Sequence, residues 1–148
     1  MKIRSANKFD IPQILDMLRH YRDSGKIAGV EDIEDIATPM KILTYILVGG
    51  GCAIVSEQDM KLTGMLLAIK VPYLWDHTKF VMNEVVYWVE ESSRGSTAGY
   101  RLIHEYVKQC DELKDSEKII NYTISQMEGQ TLNYSRFGFR PIESTWSI

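Results

Sequence analysis

The sequence has few of the residues that build disulfide frameworks and metal sites. Its 148 residues include two cysteines, Cys52 and Cys110, and three scattered histidines. Two cysteines so far apart match neither a disulfide framework nor a zinc motif. We therefore expect no metal and a reduced, cytoplasmic protein.

Long apolar runs and an excess of basic charge are also absent. No stretch reaches the ~20 apolar residues of a membrane-spanning helix, and the first ten residues lack the apolar core of a signal peptide. The formal net charge is −3, whereas nucleic-acid-binding domains are usually basic. We expect a protein that binds neither membranes nor nucleic acids.

What remains is the composition of one ordinary globular domain, spanning residues 1–148. Hydrophobic residues make up 45% and charged residues 25% of the chain, which is typical of soluble domains. The sequence contains no internal repeat, low-complexity segment or linker. A chain of this length can bury a sizeable core.

The spacing of apolar residues predicts elements in the order β-α-α-β-β-β-α-β-α-β. We predict strands over residues 1–5, 52–56, 62–71, 85–89, 118–123 and 139–148. We predict helices that begin after Asp10, at Thr38-Pro39, after Gly99 and near Glu128, the last of which ends at Gly138. This order is compatible with either an α+β or an α/β fold.

The stretch over residues 83–108 combines a strand, a turn of small residues at 94–99 and a helix. Such a turn presents unpaired N–H groups and the positive end of the helix dipole, which suits phosphate. An ordinary tight connection is the alternative. The turn is neither a Walker A loop nor a Rossmann fingerprint. A nucleophile elbow would need a later histidine, and only His104, inside the helix, follows.

Two motifs resemble those of the GCN5-related N-acetyltransferases (GNATs). Residues 89–102 resemble motif A, Arg/Gln-x-x-Gly-x-Gly/Ala, with Arg94 first, Gly99 last and Thr97 in place of the middle glycine. Residues 133–139, NYSRFGF, resemble the Tyr-x-x-x-Gly-Phe of motif B. The asparagine that often lies seven residues before this tyrosine is Met127 here. The order of elements matches the family over nearly the whole chain.

The resemblance implies an α+β GNAT fold: a mostly antiparallel sheet with a splayed parallel pair near its middle, flanked by about four helices. It implies an N-acetyltransferase that moves the acetyl group of acetyl-CoA to a primary amine by direct attack in a ternary complex. The strand end would pair with pantetheine, Arg94 would contact phosphate, and the turn would donate N–H groups. The cofactor residues implied are Trp88, Val89, Glu90, Arg94, Gly95, Ser96, Thr97, Ala98, Gly99 and Tyr100.

Two residues are candidates for proton transfer. By resemblance, Tyr134 lies beside the thioester sulfur and protonates the departing thiolate. Glu84 lies in an apolar strand, where a carboxylate needs a partner or a purpose, and we predict it as the base. Strand alternation would place it on the face of Val86 and Trp88. The alternatives are a Tyr134 that only packs and a Glu84 held in a structural ion pair.

The amine acceptor is the least determined part. In this fold the segment that holds the acidic run Glu31, Asp32, Glu34 and Asp35 borders the acceptor groove, so we predict that Asp32 and Glu34 attract a cationic amine. A solvated loop is the alternative. Tyr73 and Trp75 lie in a predicted connection over 72–79 and could face the substrate, a partner subunit or the core. Oligomeric state stays open, with a homodimer among the options.

Two other functional classes compete with the enzyme. A GNAT-fold module could bind CoA without turnover and act as a regulator, and the departures at Thr97 and Met127 keep this alternative open. A nucleotide-binding protein could use the same turn, but no Mg²⁺-binding motif accompanies it.

Overall fold

The computed structural model describes residues 1–25, 29, 34–127 and 132–148. Its strands are β1 (Lys2–Ser5), β2 (Gly51–Gln58), β3 (Lys61–Tyr73), β4 (Asp76–Val89) and β5 (Asn121–Thr123). Its α-helices are α1 (Ile11–Asp23), α2 (Ala37–Tyr45) and α3 (Ala98–Asp115). None of the helices in the described ranges is long and apolar enough to cross a membrane.

The five strands form one sheet in the order β1-β2-β3-β4-β5. The first four are antiparallel neighbours, and only β4 and β5 run parallel. That parallel pairing joins 81–83 to 121–123 and stops there, while β4 continues to Val89. The two strands therefore separate beyond Asn83. This confirms a mostly antiparallel sheet with a splayed parallel pair.

The parallel pair lies at the edge of the sheet and not near its middle, because the predicted last strand does not form. Residues 139–148 belong to no strand, and from Arg140 onward they are exposed. Pro141 lacks the N–H that a strand would donate. The predicted helix near Glu128 begins outside the described residues; its end is a short 3₁₀ turn at Tyr134–Phe137. Gly138 closes that turn at φ 92°, which confirms the left-handed cap.

The helices bury the two faces of the sheet separately. Helix α3 covers one face with Leu102, Ile103, Tyr106 and Cys110. Helices α1 and α2 cover the other face, where the buried residues are Ile14, Met17, Leu43, Ile46, Ala53, Val55, Leu62, Met65, Leu67 and Val86. The first face is called the α3 core below and the second the α1/α2 core.

Asp10, predicted as the cap of α1, makes no capping hydrogen bond to that helix. Both of its carboxylate oxygens accept from the Arg4 guanidinium, at 2.7 and 2.8 Å, and one also accepts from the Asn7 N–H. The bond from Arg4 lowers the pKa of the buried Asp10 carboxyl. The pair ties β1 to the start of α1.

The predicted connection over 72–79 is mostly strand. Strand β3 reaches Tyr73 and β4 begins at Asp76, so only Leu74 and Trp75 form the turn. The first half of β4 was not predicted as strand, because the polar residues 76–79 interrupt the apolar run that marks its second half. Strand β5 is in turn shorter than the predicted 118–123.

Candidate functional site

An extra residue in β4 decides which face carries Glu84. Leu67 of β3 lies opposite Val86, whereas the next residue, Ala68, lies opposite Glu84. Val85 is therefore the unpaired residue of a β-bulge, and its side chain is 37% exposed. A bulge inverts the alternation beyond it. Glu84 thus shares a face with the α3 core, and its predicted position on the face of Val86 and Trp88 is wrong.

The bulge brings Glu84 and Tyr134 to the same residue. The Glu84 carboxylate accepts a hydrogen bond from the Ser125 N–H at 3.0 Å. The Tyr134 hydroxyl donates to the Ser125 carbonyl at 3.2 Å. Ser125 lies just beyond β5, where that strand and β4 have separated. The two predicted proton-transfer residues therefore meet at the splay. No side-chain pattern indicated Ser125, whose N–H and carbonyl make these two contacts.

Tyr134 keeps its phenolic proton in the splay. Its side chain is buried, and this burial, with the nearby Tyr87 and Glu84, raises its pKa well above the ordinary value. A phenol with a raised pKa keeps its proton at neutral pH. Tyr134 therefore donates a hydrogen bond within the splay, and its part in proton transfer stays a prediction.

The turn before α3 needs glycine at Gly95 and not at Thr97. Gly95 has φ 87°, in the left-handed region that favours glycine. Thr97 has φ −81° and ψ 1°, which any L-residue adopts. The substitution of threonine for the middle motif glycine therefore leaves the backbone of the turn unstrained.

Several N–H groups of the turn are open to a ligand. The Ser96 N–H donates to the Ser93 carbonyl at 3.3 Å, and the Ala98 N–H donates to the Ser96 hydroxyl at 3.2 Å. The structure gives no protein acceptor, within the described residues, for the N–H groups of Gly95, Thr97, Gly99 and Tyr100. These groups begin an 18-residue helix. Open donors and the helix dipole together favour an anion at this turn.

Arg94 is held beside the strand end. Its Nε donates to the Val89 carbonyl at 3.1 Å, and its guanidinium carbon lies 4.7 Å from the centroid of the Trp88 ring. Tyr21 of α1 packs edge-on against the same ring, with centroids 6.1 Å apart. Arg94 is thus stacked between the turn and the α1/α2 core, and its phosphate contact stays a prediction.

Gly99 allows α3 to approach β4. A Cβ at Gly99 would collide with the Tyr87 hydroxyl. The resemblance implies Gly99 as a residue of the cofactor turn, but the contact that excludes a side chain here lies within the protein. Tyr100, next in the helix, is half exposed and packs on Phe137, with centroids 4.9 Å apart.

Within the strand end over residues 88–90, it is the Val89 backbone that faces the splay. The Glu90 N–H donates to the Thr63 carbonyl of the β3 side at 2.9 Å. Alternate residues of an antiparallel strand direct their backbone groups to opposite sides. Trp88 therefore faces β3 with Glu90, while Val89 and Tyr87 face the side where β5 has ended. Strand alternation could have placed the Tyr87 backbone on this side with that of Val89, but Tyr87 was not among the predicted site residues.

The predicted acceptor residues are partly engaged with other groups. Glu31 and Asp32 lie outside the described residues. Glu34 accepts from Arg19 at 2.8 Å, and Asp35 accepts from the Ala37 N–H at 3.0 Å and the Thr38 hydroxyl at 2.7 Å. A groove of about 400 Å³ lies between α1 and α2, lined by residues that include Arg19, Arg22, Glu34 and Asp35.

Tyr73 and Trp75 lie far from Glu84. Trp75 is at the tip of the β3–β4 hairpin, and Glu84 lies eight positions after Asp76 along β4, about 26 Å of strand. The structure does not bring these aromatic side chains to the splay. In the described ranges, no cluster of three or more His, Cys, Asp or Glu side chains could hold a metal ion.

Comparison with known proteins gives a clear result for the fold. No family model matches the chain, and no curated protein matches it. Solved structures do match. A predicted acetyltransferase from Clostridium acetobutylicum, solved with acetyl-CoA, has a TM-score of 0.72 at 14% identity, over 99% of this chain and 94% of that one.

Two further structures show the same similarity. An acetyltransferase from Trypanosoma brucei has a TM-score of 0.70 at 18% identity, over 99% of this chain and 97% of that one. An aminoglycoside acetyltransferase from an uncultured soil sample, in complex with sisomicin, has a TM-score of 0.68 at 13% identity, over 99% and 95%. The splayed sheet, its order of elements and these alignments over nearly full length confirm the fold predicted from the two motifs.

Proposed function

We propose that this chain, which has the GNAT fold, transfers the acetyl group of acetyl-CoA to a primary amine. The observation that carries the proposal is that Glu84 and Tyr134 meet at the splay, beside a turn with open N–H donors. One end of this arrangement suits a diphosphate, and the other suits proton transfer. A structure of similar fold holds acetyl-CoA, which supports the choice of cosubstrate.

The turn before α3 would hold the diphosphate of acetyl-CoA. Four N–H groups, of Gly95, Thr97, Gly99 and Tyr100, are available to phosphate oxygens. The Val89 backbone faces the splay, where pantetheine would run along the strand. Arg94 now occupies the Val89 carbonyl, so pantetheine would share or take over that acceptor.

The reaction requires two proton transfers. The amine nitrogen attacks the thioester carbonyl carbon and the carbon–sulfur bond breaks. A primary amine such as lysine has an unperturbed pKa of about 10.4, so it must first lose a proton. Glu84 would take that proton, directly or through water, and Tyr134 would give its proton to the departing thiolate.

The proposed acceptor is a cationic amine. The groove between α1 and α2 contains Glu34 and Asp35 beside Arg19 and Arg22, and the acidic run adds Glu31 and Asp32 in the sequence. The aminoglycoside acetyltransferase of similar fold was solved with sisomicin, which supports a small polyamine as the class to test first. The aromatic faces of Tyr73 and Trp75 would serve only an acceptor that reaches the hairpin.

A CoA-binding module without turnover is the second candidate, and one observation favours it. Glu84 and Tyr134 both hold the backbone of Ser125, which a purely structural role would also explain. The two candidates differ in whether free thiol is released.

The test is incubation with acetyl-CoA and a panel of primary amines, with detection of free CoA thiol. Thiol release that depends on both the amine and the protein supports the enzyme. Glu84→Gln should then lower the rate most at the low end of the pH range, where deprotonation limits attack. Stabilisation by acetyl-CoA without release under any amine would support the module. No stabilisation by millimolar acetyl-CoA would overturn both.

A further inference from the structure

The outer face of α2 carries an apolar groove. Its lining residues recur along one stripe of the helix and its continuation, while Leu43 and Ile46 point into the α1/α2 core. The groove has a volume of about 380 Å³ and is lined by Met40, Lys41, Thr44, Tyr45 and Val48. Val48 is 78% exposed. Apart from Lys41, the lining presents mainly carbon atoms to solvent. We call it the α2 groove.

The hairpin between β3 and β4 presents a second apolar feature. Leu74 is 83% and Trp75 is 81% exposed, and both lie in a turn closed by the Tyr73–Asp76 pair. We call Tyr73–Asp76 the hairpin tip. The Tyr45 hydroxyl donates to the carbonyl of Lys70 at 3.3 Å. This bond joins the α2 groove to β3 just before the tip.

The two features together are large enough to form an interface. A single exposed apolar side chain is ordinary, but five are exposed across the α2 groove and the hairpin tip: Tyr45, Val48, Tyr73, Leu74 and Trp75. A large aromatic side chain has a surface of about 150–250 Å². When each of the five side chains is scaled by its exposed fraction, the set exposes roughly 600 Å². A standard interface uses about 800 Å² from each partner. The surface therefore approaches what a stable dimer requires.

The charges beside the two features include one complementary pair, Asp76 on the tip and Lys41 in the groove. Asp76 follows Trp75 directly, and its carboxylate accepts from the Thr78 hydroxyl at 2.6 Å and the Thr78 N–H at 3.0 Å. These bonds keep the carboxylate ionised. Lys41 lines the α2 groove. A tip that enters the groove of another copy would bring Asp76 beside Lys41.

We propose that two copies of this chain associate about a twofold axis, with Trp75 of each copy seated in the α2 groove of the other. The contact is isologous, because the same two features are used twice. Asp76 and Lys41 form the charged rim of each contact. The dimer does not depend on the proposed acetyl transfer, since the hairpin tip lies far from Glu84.

The experiment is sedimentation equilibrium over a concentration series. The intact chain should reach twice its mass of 17.0 kDa. Trp75→Ser should raise the dissociation constant at least about tenfold, because buried tryptophans dominate interface energies. Trp146→Ser is the matched control, since Trp146 is 91% exposed on the C-terminal segment. It should leave the constant unchanged. Circular dichroism shows whether Trp75→Ser still folds. Leu74→Ser tests the same contact with a second variant.

A charge exchange tests the orientation of the contact. Asp76→Lys and Lys41→Asp should each weaken the dimer, and the double variant should recover most of the loss. A monomer at every soluble concentration would overturn the proposal. So would a dimer that survives both Trp75→Ser and Leu74→Ser, or one that Trp146→Ser dissociates. Single charge variants without effect, or a double variant without recovery, would overturn the twofold seating.

Discussion

The two faces of the sheet differ in the kind of residue that they bury. The α1/α2 core is aliphatic throughout its described buried members. The α3 core instead contains Tyr106, Tyr134, Cys52 and Cys110 among its buried residues, with Tyr87 packed against it. The bulge at Val85 adds Glu84 to this second face. Ionisable groups are thus concentrated on the α3 face, with Glu84 and Tyr134 where β4 and β5 separate, and the other face supplies mainly apolar packing.

The difference shows how one face can serve packing and the other chemistry. A buried hydroxyl must find an acceptor, and the α3 core provides backbone carbonyls that the splay leaves without strand partners. The Tyr106 hydroxyl donates to Thr123 at 2.8 Å, as Tyr134 donates to Ser125 at 3.2 Å. Each tyrosine compensates for a ladder that ends early. The gap that a ligand could enter is also the cause of the polar core.

The largest expected effect is on turnover. Tyr134→Phe should lower kcat about 100-fold, because general-acid catalysis typically contributes at least this factor, while acetyl-CoA affinity changes little. Steady-state kinetics with thiol detection measures both. Tyr106→Phe is the matched control on the same face: it also loses one hydroxyl bond to a backbone carbonyl beyond Asn121. It should retain kcat within a few fold. Loss confined to KM would make Tyr134 a packing residue.

The sequence predicted the elements that are long and periodic, and it failed where a single residue changes the outcome. Helix α3 and the turn before it follow from a 3.6-residue period and a run of small residues. The face that carries Glu84 could not be predicted in this way. Val85 looks like any other strand residue, and its bulge depends on how β4 pairs with Leu67 and Ala68. Motifs located Tyr134, but its partner Ser125 contributes only backbone, which no side-chain pattern can identify.

Alkaline pH should lower the free energy of unfolding by at least about 2 kcal/mol between pH 8 and 11, because the α3 core buries ionisable groups. Burial raises the pKa of Cys52 to about 12, and it also raises the pKa of Tyr106 and Tyr134. In the unfolded chain these groups titrate near 8.5 and 10. Above those values the unfolded chain binds fewer protons than the native one, so stability is full below about pH 8 and falls as pH rises.

Denaturant unfolding at several pH values measures this slope. Tyr106→Phe removes one of the buried titrating groups, so its unfolding free energy should fall less steeply between pH 9 and 11 than that of the intact chain. An unfolding free energy that stays level to pH 11 would contradict the burial of these groups.

The next effect concerns two glycines with the same backbone conformation at helix ends on opposite faces. Gly95 precedes α3 at φ 87° and Gly25 follows α1 at φ 86°, and a Cβ would meet nothing within 4 Å at either. Alanine at each should cost about 1 kcal/mol of stability, because the left-handed region is strained for a side chain. Only Gly95→Ala should weaken acetyl-CoA binding, about tenfold, by turning the donors of the turn away.

Thermal melts with and without acetyl-CoA separate the two glycine variants. The ligand-induced rise in Tm should shrink for Gly95→Ala and persist for Gly25→Ala. An equal rise in both variants would mean that the turn before α3 does not hold the diphosphate.

The smallest expected effect concerns the acceptor and the α1/α2 side. Arg19 pairs with both Asp16 and Glu34, at 2.8 Å each, but only Glu34 lines the groove between α1 and α2. If the groove attracts a cationic amine, kcat/KM should fall as salt rises, because screening weakens the attraction. Glu34→Lys should reduce the slope of kcat/KM against salt concentration by about twofold, since one charge among several contributes modestly to a local field. Asp16→Lys breaks the other pair of Arg19 and should preserve the dependence. Equal salt responses in both variants would assign the acidic run to the solvated surface.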